Sequence, residues 1–176
     1  MVLPTAYLCG RSYFDCLMRG KCEIEVMESF EKQTFRNRCL IRDVSGNIVT
    51  LTVPVKKAEH RQLTRDIEIS YQSRWQHQHW ITLLSAYKHT PYFDYYADYL
   101  LPYYEKPTKW LIDLNDGLTA TILQLLKNER PEPIENHTAL SHTDDWRGEV
   151  WTDRHPWQKE ISITDRLFEK GPETLV

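Results

Sequence analysis

The chain begins with short apolar segments separated by turn residues, a pattern typical of strands around a brief helix. Residues 2–8 are largely apolar, and after Gly10 the apolar residues of 13–18 recur at helical spacing. Residues 22–27 then alternate apolar with acidic side chains, as a half-buried strand does. This strand–helix–strand order predicts two parallel strands joined by a short crossover helix.

Two β-rich segments follow, and the sequence between them predicts a hairpin. Residues 34–42 and 48–55 carry many β-branched and apolar side chains. A polar segment containing Gly46-Asn47 separates them, and glycine beside asparagine is a strong turn signal. The alternation of apolar residues over 67–71 predicts one more short strand.

From residue 75 the apolar residues follow a period of about 3.6, which predicts three helices. The first covers 75–86, with Ser73 as a candidate N-cap. The second covers 93–101 and ends near Pro102, and the third covers 111–125. The predicted fold is therefore α+β, with an N-terminal mixed β-sheet, a short crossover helix and a β-hairpin, followed by a helical half of three main helices.

The length of 176 residues fits a single domain that spans 1–176. Residues 130–155 contain two prolines, many polar side chains and little periodicity. We therefore predict a surface loop over this segment. The last residues, 161–176, predict a short helix followed by a turn at Gly171-Pro172.

Composition excludes several classes of protein. The net charge of −3 and the pI of about 6.2 argue against a nucleic-acid partner, which requires a basic footprint. No pair of cysteines has CxxC spacing, so we expect no zinc site and free thiols in a reducing compartment. No apolar run approaches the ~18 residues of a membrane span, and the opening lacks the pattern of a signal peptide. The expected location is the cytoplasm.

The segment 30–39, FEKQTFRNRC, is the first candidate for chemistry. In an extended strand, Lys32, Arg36 and Arg38 share one face with Thr34, because side chains alternate. Such a cationic row binds anions if it lines a cleft. If it faces water, it is a solvated strand surface, and the residues themselves leave both interpretations open.

The predicted helices carry two candidate acid–base groups, His79 and Asp113. His79 lies one turn beyond Trp75 on the apolar face, where it is either a hydrogen-bonded core residue or a general acid–base. His77 points roughly 200° away from it on a helix, so no metal site is predicted. Asp113 and Asn115 either cap and solvate the third helix or reach into a cleft to hold a ligand.

Aromatic residues cluster over 92–104, where they form core and rim packing or a surface that stacks on a sugar. The chain contains no glycine-rich phosphate loop and no GxSxG nucleophile elbow. No cofactor is therefore predicted.

Several segments occur in an order that resembles the WbqC-like protein family. The matching residues are Pro4 to Tyr7, Tyr13-Phe14, Lys32, Asn37-Arg38, residues 51–55, Trp75, His79-Trp80, Tyr87, residues 90–94 and residues 113–115. Residues 161–172 echo the family's closing run Leu-Ser-Ile-x-Asp-Leu-Leu-Phe-x-x-Gly-Pro. The segment KQTFRNRC looks like the branch found in Bacteroides-type bacteria.

The chain departs from the family pattern at several places, and the segment after the third helix is also shorter than in many members. Leu3 precedes Pro4 where many members have glutamine. Residues 26–30 lack the first acidic residue and the glutamine of the acidic-x-Val-Gln-Phe run that many members carry. Arg166 stands where leucine is usual.

The resemblance implies a role in O-antigen or capsule assembly, because members occur among genes for surface polysaccharides and a glycine-transferase role has been suggested. It points to a cytoplasmic transferase that acts on a small-molecule or sugar-precursor substrate. In this interpretation His79 and Asp113 are catalytic. The predicted substrate-binding residues are Lys32, Asn37, Arg38, Trp75, Tyr92 and Asn115.

The alternative is a non-catalytic protein that binds a glycan or a partner of the assembly machinery. The two interpretations differ in whether one pocket collects these residues, as an enzyme would require, or whether they scatter.

Overall fold

The N-terminal segment forms the predicted parallel unit in the computed structural model, which describes residues 2–19, 22–127, 129, 142–143 and 160–175. Strand β1 (Val2–Pro4) leads into helix α1 (Arg11–Arg19), and strand β2 (Glu23–Glu25) returns parallel to β1. The crossover helix is confirmed. Both strands are three residues long, shorter than the apolar runs suggest.

A third described strand joins this sheet. Strand β5 (His142–Thr143) pairs in parallel with β2, so the strand order is β1-β2-β5. It falls within the predicted surface loop over 130–155, and the rest of that loop lies outside the described residues.

The hairpin turn is confirmed, but the first strand begins later than predicted and the second ends earlier. Strands β3 (Arg38–Arg42) and β4 (Ile48–Thr52) pair antiparallel over five residues. Asp43 Oδ1 accepts hydrogen bonds from the backbone N–H groups of Ser45 and Asn47, both at 2.8 Å. Gly46 has φ +82°, which a residue without Cβ adopts at little cost.

The expectation of a cationic strand face is wrong. Residues 32–37 form turns rather than a strand, since Asn37 N–H donates to Thr34 O at 3.1 Å and Thr34 Oγ1 donates to Glu31 O at 2.8 Å. Local bonds of this kind compete with strand pairing. Arg36 is buried, whereas Lys32 is exposed, so the basic residues do not share one face.

The three main helices are confirmed as α2 (Trp75–Tyr87), α3 (Phe93–Leu100) and α5 (Leu111–Leu126). Pro102 does not simply end the second of them, because it opens a further short helix, α4 (Pro102–Glu105). Proline is favoured at the first helical position, where its missing N–H costs nothing.

Two local predictions are wrong. Arg74, not Ser73, is the N-cap of α2, and no side chain among the described residues caps that end. The short strand predicted over 67–71 is reduced to isolated bridges such as Val55 with Ile69.

The hydrophobic core lies between the two small sheets and the helices, with α5 at its centre. Twelve of the sixteen residues of α5 are buried, more than a one-sided surface helix would bury. Leu3 and Ile24 from the parallel sheet, Ile41 from the hairpin and Leu83 from α2 are all nearly inaccessible. The α+β class is confirmed, with parallel and antiparallel strands in separate sheets.

The chain closes with α6 (Ile163–Lys170) and a short 3-10 helix (Gly171–Leu175). Two backbone bonds anchor the start of α6: Ser162 N–H donates to Leu40 O at 2.7 Å, and Ile163 N–H donates to Cys9 O at 2.8 Å. Helix α6 is thereby placed against the hairpin. Among the described helices, none combines the length and the apolar character that a bilayer span requires.

Candidate functional site

A cleft of about 730 Å³ opens between the start of α1, the end of α2 and α6, and we call it the Asp165 cleft. Its volume is in the range of small-molecule sites. Its wall is mainly polar, and the charged residues that line it are Arg11, Asp15, Arg42, Asp43, Glu160, Asp165, Arg166, Glu169 and Lys170.

Asp165 and Tyr87 form the central contact of this cleft. Tyr87 OH donates to Asp165 Oδ1 at 3.3 Å and accepts from Arg42 N–H at 3.4 Å. Partial burial raises the pKa of the Asp165 carboxyl, while the Tyr87 bond and the charge of Arg42 oppose that rise. Burial and then the charge of Asp165 raise the pKa of Tyr87, so the phenol stays protonated and able to donate.

Helix α6 holds Asp165 in place through its first turn and its buried face. The side chain of Ser162 accepts a hydrogen bond from Thr164 N–H at 3.3 Å and caps the helix. The ring of Phe168 packs on that of Tyr87, with centroids 5.3 Å apart. Tyr87 on α2 and Asp165 on α6 therefore lie on helices that pack against each other, and this packing fixes the distance between the two side chains.

A second cavity of about 450 Å³, the Arg38 cavity, shares Glu160 with the first. Glu160 accepts hydrogen bonds from the N–H of Ser12, at 3.0 Å, and from its hydroxyl. Gly10 lets the Glu160 side chain come so close that any β-carbon at position 10 would overlap it. Glu160 therefore lies at the boundary of the two cavities.

Two of the predicted residues, Trp75 and His79, meet in the interior. Their rings lie edge to face with centroids 5.1 Å apart. Tyr7 OH bonds His79 Nδ1 at 2.8 Å and Tyr104 OH at 2.9 Å, and a further bond joins His79 to the backbone of Thr52. Burial lowers the pKa of His79 to about 4, so the ring is neutral near pH 7.

Asn37 and Asn115 join the same interior region. Asn37 Nδ2 donates to Val53 O at 2.9 Å, one residue after the Thr52 that His79 bonds. Asn115 Nδ2 donates to Arg36 O at 2.8 Å, one residue before Asn37. Asn37 Oδ1, Asn115 Oδ1 and Trp75 Nε1 are buried with no hydrogen-bond partner among the described residues. Four predicted residues thus gather in a buried polar cluster beside β4.

The other four predicted residues lie elsewhere. Lys32 is exposed in the turn before β3, and Asp113 is exposed in the first turn of α5. Tyr92 stacks on Tyr96 with centroids 5.8 Å apart and also lies against Gly171. Arg38 lines the second cavity and is the only predicted site residue that lines either of the two cavities.

Tyr87 and Asp165 are absent from the predicted site, although the sequence held a signal for both. Tyr87 is among the residues that carry the family resemblance, and Asp165 falls on the aspartate of the closing run. Neither has a spacing that marks a catalytic residue, because 78 positions separate them in the chain.

Fold and site together define an α+β protein with a polar, mixed-charge cleft. Residues 13–146 match the model of the WbqC-like protein family, which is more than half of the chain. The protein therefore belongs to the WbqC-like family. The closing run 161–172 lies beyond the matched residues. Comparisons with curated proteins and with solved structures gave no match.

Proposed function

We propose that this protein is a cytoplasmic transferase of surface-polysaccharide assembly that acts on a sugar precursor in the Asp165 cleft. The observation that carries the proposal is the Tyr87–Asp165 hydrogen bond inside a cleft of ligand size. A carboxyl group with a raised pKa, held by a fixed donor in a concave polar site, is a candidate acid–base group.

The proposed reaction is acyl transfer, with a glycyl group as the specific case. A hydroxyl or amine of the sugar attacks the carbonyl carbon of an activated aminoacyl donor. The new ester or amide bond forms as the bond to the donor's leaving group breaks and its electron pair departs with that group. Asp165 takes the proton from the attacking group, and the raised pKa makes it a better base than an ordinary carboxylate.

Basic residues around Asp165 suit an anionic precursor. The charges of Arg42 and Arg166 lower the pKa of Asp165 and so oppose the rise that burial causes. Both residues line the same cleft, where their guanidinium groups are suited to the phosphate of an activated sugar.

The test pairs Asp165→Asn with Asp98→Asn, an exposed carboxylate of α3 outside both cavities. A panel of nucleotide sugars and activated aminoacyl donors is screened by thermal shift, and a ligand at 100 times its Kd should stabilise the fold by ~2.7 kcal/mol. Polysaccharide modification is then measured in cells that carry each variant. We expect Asp165→Asn to abolish modification and Asp98→Asn to preserve it. Full modification with Asp165→Asn would remove the proposal.

The second candidate function is non-catalytic binding of a glycan or a partner protein. The observation that favours it is the position of Asn37, Trp75, His79 and Asn115 in the interior rather than in a cavity. Those residues then shape the fold that presents a binding surface. Turnover by the pure protein, in any of the donor and acceptor pairs above, would exclude this candidate.

A further inference from the structure

The Arg38 cavity lies on the outer face of the hairpin. Arg38 and Leu40 alternate with buried Cys39 along β3, so they share a face, and Thr50 of β4 stands directly opposite Leu40. All four residues line the cavity. Arg38 and Thr50 are diagonal neighbours, a separation that a long side chain bridges.

Arg38 is the one basic side chain among the described residues that line this cavity. Its Nε is buried without a hydrogen-bond partner among the described residues, and no described carboxylate is ion-paired with its guanidinium. Arg36, two residues earlier, is instead ion-paired with Glu28 and also donates to Thr34 Oγ1. A half-buried guanidinium with an unmet donor in a cavity is suited to a planar oxyanion.

The backbone around Arg38 is strained where it borders the cavity. Leu8 has φ +43° and Gln33 has φ +62°, and both line it. The left-handed region is unfavourable for residues that carry a Cβ, and such residues cluster at ligand sites. The two strained positions come from separate loops, so two segments are shaped around the same space.

The acidic residues of the Arg38 cavity restrict the charge that a ligand can carry. Glu31 and Glu160 line it together with Arg38, while burial raises the pKa of the Cys9 and Cys39 thiols and keeps them neutral. One cation beside two carboxylates disfavours a multiply charged phosphate. The same charges favour a ligand with a single carboxylate, which binds Arg38, and with a hydroxyl or ammonium group that donates to an acid such as Glu160.

We propose that the Arg38 cavity is a second binding site for a monocarboxylate that carries adjacent hydrogen-bond donors, either a sugar acid or an amino acid. This inference deepens the proposed function. The role of the bound carboxylate as a substrate rests on that function, whereas its binding to the cavity does not. The two sources share the carboxylate that Arg38 binds and differ in the donor directed to Glu160.

The test is calorimetric titration of the full chain with galacturonate, glycine, galactose and inorganic phosphate. We expect galacturonate or glycine to bind with a Kd of about 1 mM or tighter, and galactose to bind much more weakly. Binding of galacturonate would identify the ligand as a sugar acid, and binding of glycine would identify it as an amino acid. Binding of phosphate alone, or of no carboxylate, would overturn the inference.

Variants locate the binding. Arg38→Gln should weaken carboxylate binding about tenfold or more, whereas Arg74→Gln, an exposed arginine outside the cavity, should not. Thr50→Glu alters an exposed position of β4, and the new carboxylate should pair with Arg38 and abolish binding. Unchanged binding in either cavity variant would overturn the inference. Asp165→Asn should bind as the wild type does, so failure of the proposed reaction would not be mistaken for failure of this site.

Discussion

Glu28 neutralises Arg36 through a bidentate ion pair, in which Arg36 Nε–Glu28 Oε1 and Arg36 Nη2–Glu28 Oε2 are both 2.6 Å. The two side chains are only 6% and 12% exposed, and the guanidinium also lies 4.8 Å from the centre of the Phe35 ring. Arg36 therefore belongs to the fold rather than to an anion site. This leaves Arg38 as the arginine of the segment 30–39 that the proposed anion site uses.

Because Glu28 and Arg36 form a buried ion pair, we expect Glu28→Gln to lower the free energy of unfolding by a large amount. Removal of one partner leaves a buried charge without compensation, which costs about 3–5 kcal/mol. Urea unfolding at pH 7 measures this loss, and Glu59→Gln, at an exposed position, serves as the matched control. A difference below about 1 kcal/mol between the two variants would contradict the structural role of the pair.

Local periodicity was enough to predict much of the fold. The apolar spacing over 75–86 and 111–125 located α2 and α5, because a helix shows its period within its own sequence. The Gly46-Asn47 signal located the hairpin turn for the same reason. The predicted strand over 34–42 begins only at Arg38, because the residues before it form local turns. The contact of Arg36 with Glu28 lies in this segment, and no pattern inside the segment reveals it.

The site was less predictable, because its residues come from distant parts of the chain. His79 was rightly placed on the apolar face of a helix, yet its bond to Tyr7 crosses 72 positions. Asp165 lies beside Tyr87 because backbone bonds to Leu40 and Cys9 anchor the start of α6. A carboxylate in a polar segment has no local feature that distinguishes a cleft residue from a solvated one.

Asn115 gives a second prediction about stability. Its side chain is 1% exposed, and its Nδ2 donates to Arg36 O at 2.8 Å and to Thr5 Oγ1 at 3.1 Å. Asn115→Asp replaces this donor by an oxygen that faces the Arg36 carbonyl. The cost should be about 3 kcal/mol or more, from repulsion or from protonation of a buried carboxylate.

The matched control for that change is Gln78→Glu, which converts an exposed amide of α2 to a carboxylate. It should alter the free energy of unfolding by less than about 0.5 kcal/mol. Equal effects of the two variants in urea would show that the Asn115 bonds contribute little.

His79 predicts a loss of stability in mild acid. Its pKa is about 4 in the folded protein, below the ordinary value of 6.5, because burial disfavours the charged ring. Between these two values the unfolded chain binds a proton that the folded chain does not. Stability therefore falls as the pH drops from about 7 to 4, by about 3 kcal/mol from this group.

Comparison with His79→Gln isolates this contribution from that of the carboxyl groups. The variant should be less stable at pH 7 but should lose about 3 kcal/mol less between pH 7 and pH 4. Exposed His60→Gln should keep the wild-type dependence. Parallel curves for His79→Gln and the wild type in urea unfolding at both pH values would refute the prediction.

We expect substitution of Asp165 to have opposite effects on the stability of the protein and on its proposed function. Partial burial raises the pKa of Asp165 in the folded protein and the charge of Glu169 adds to the rise, while the Tyr87 hydrogen bond and the charges of Arg42 and Arg166 oppose it. The folded chain thus holds this proton more tightly than the unfolded chain. The stability from this group is complete below the unfolded pKa and is lost as the pH rises through the folded value. At pH 7 the ionised carboxyl therefore disfavours the folded state.

Asp165→Asn removes that charge and keeps an oxygen that can accept from Tyr87 OH. We expect its melting temperature at pH 7 to equal the wild-type value within about 1 °C or to exceed it, while transfer activity is lost. Melting curves at pH 7 and at pH 4 check the sign, because any gain should shrink at the lower pH. A clear drop in the melting temperature at pH 7 would mean that Asp165 supports the fold, and the loss of activity would then no longer identify it as the base.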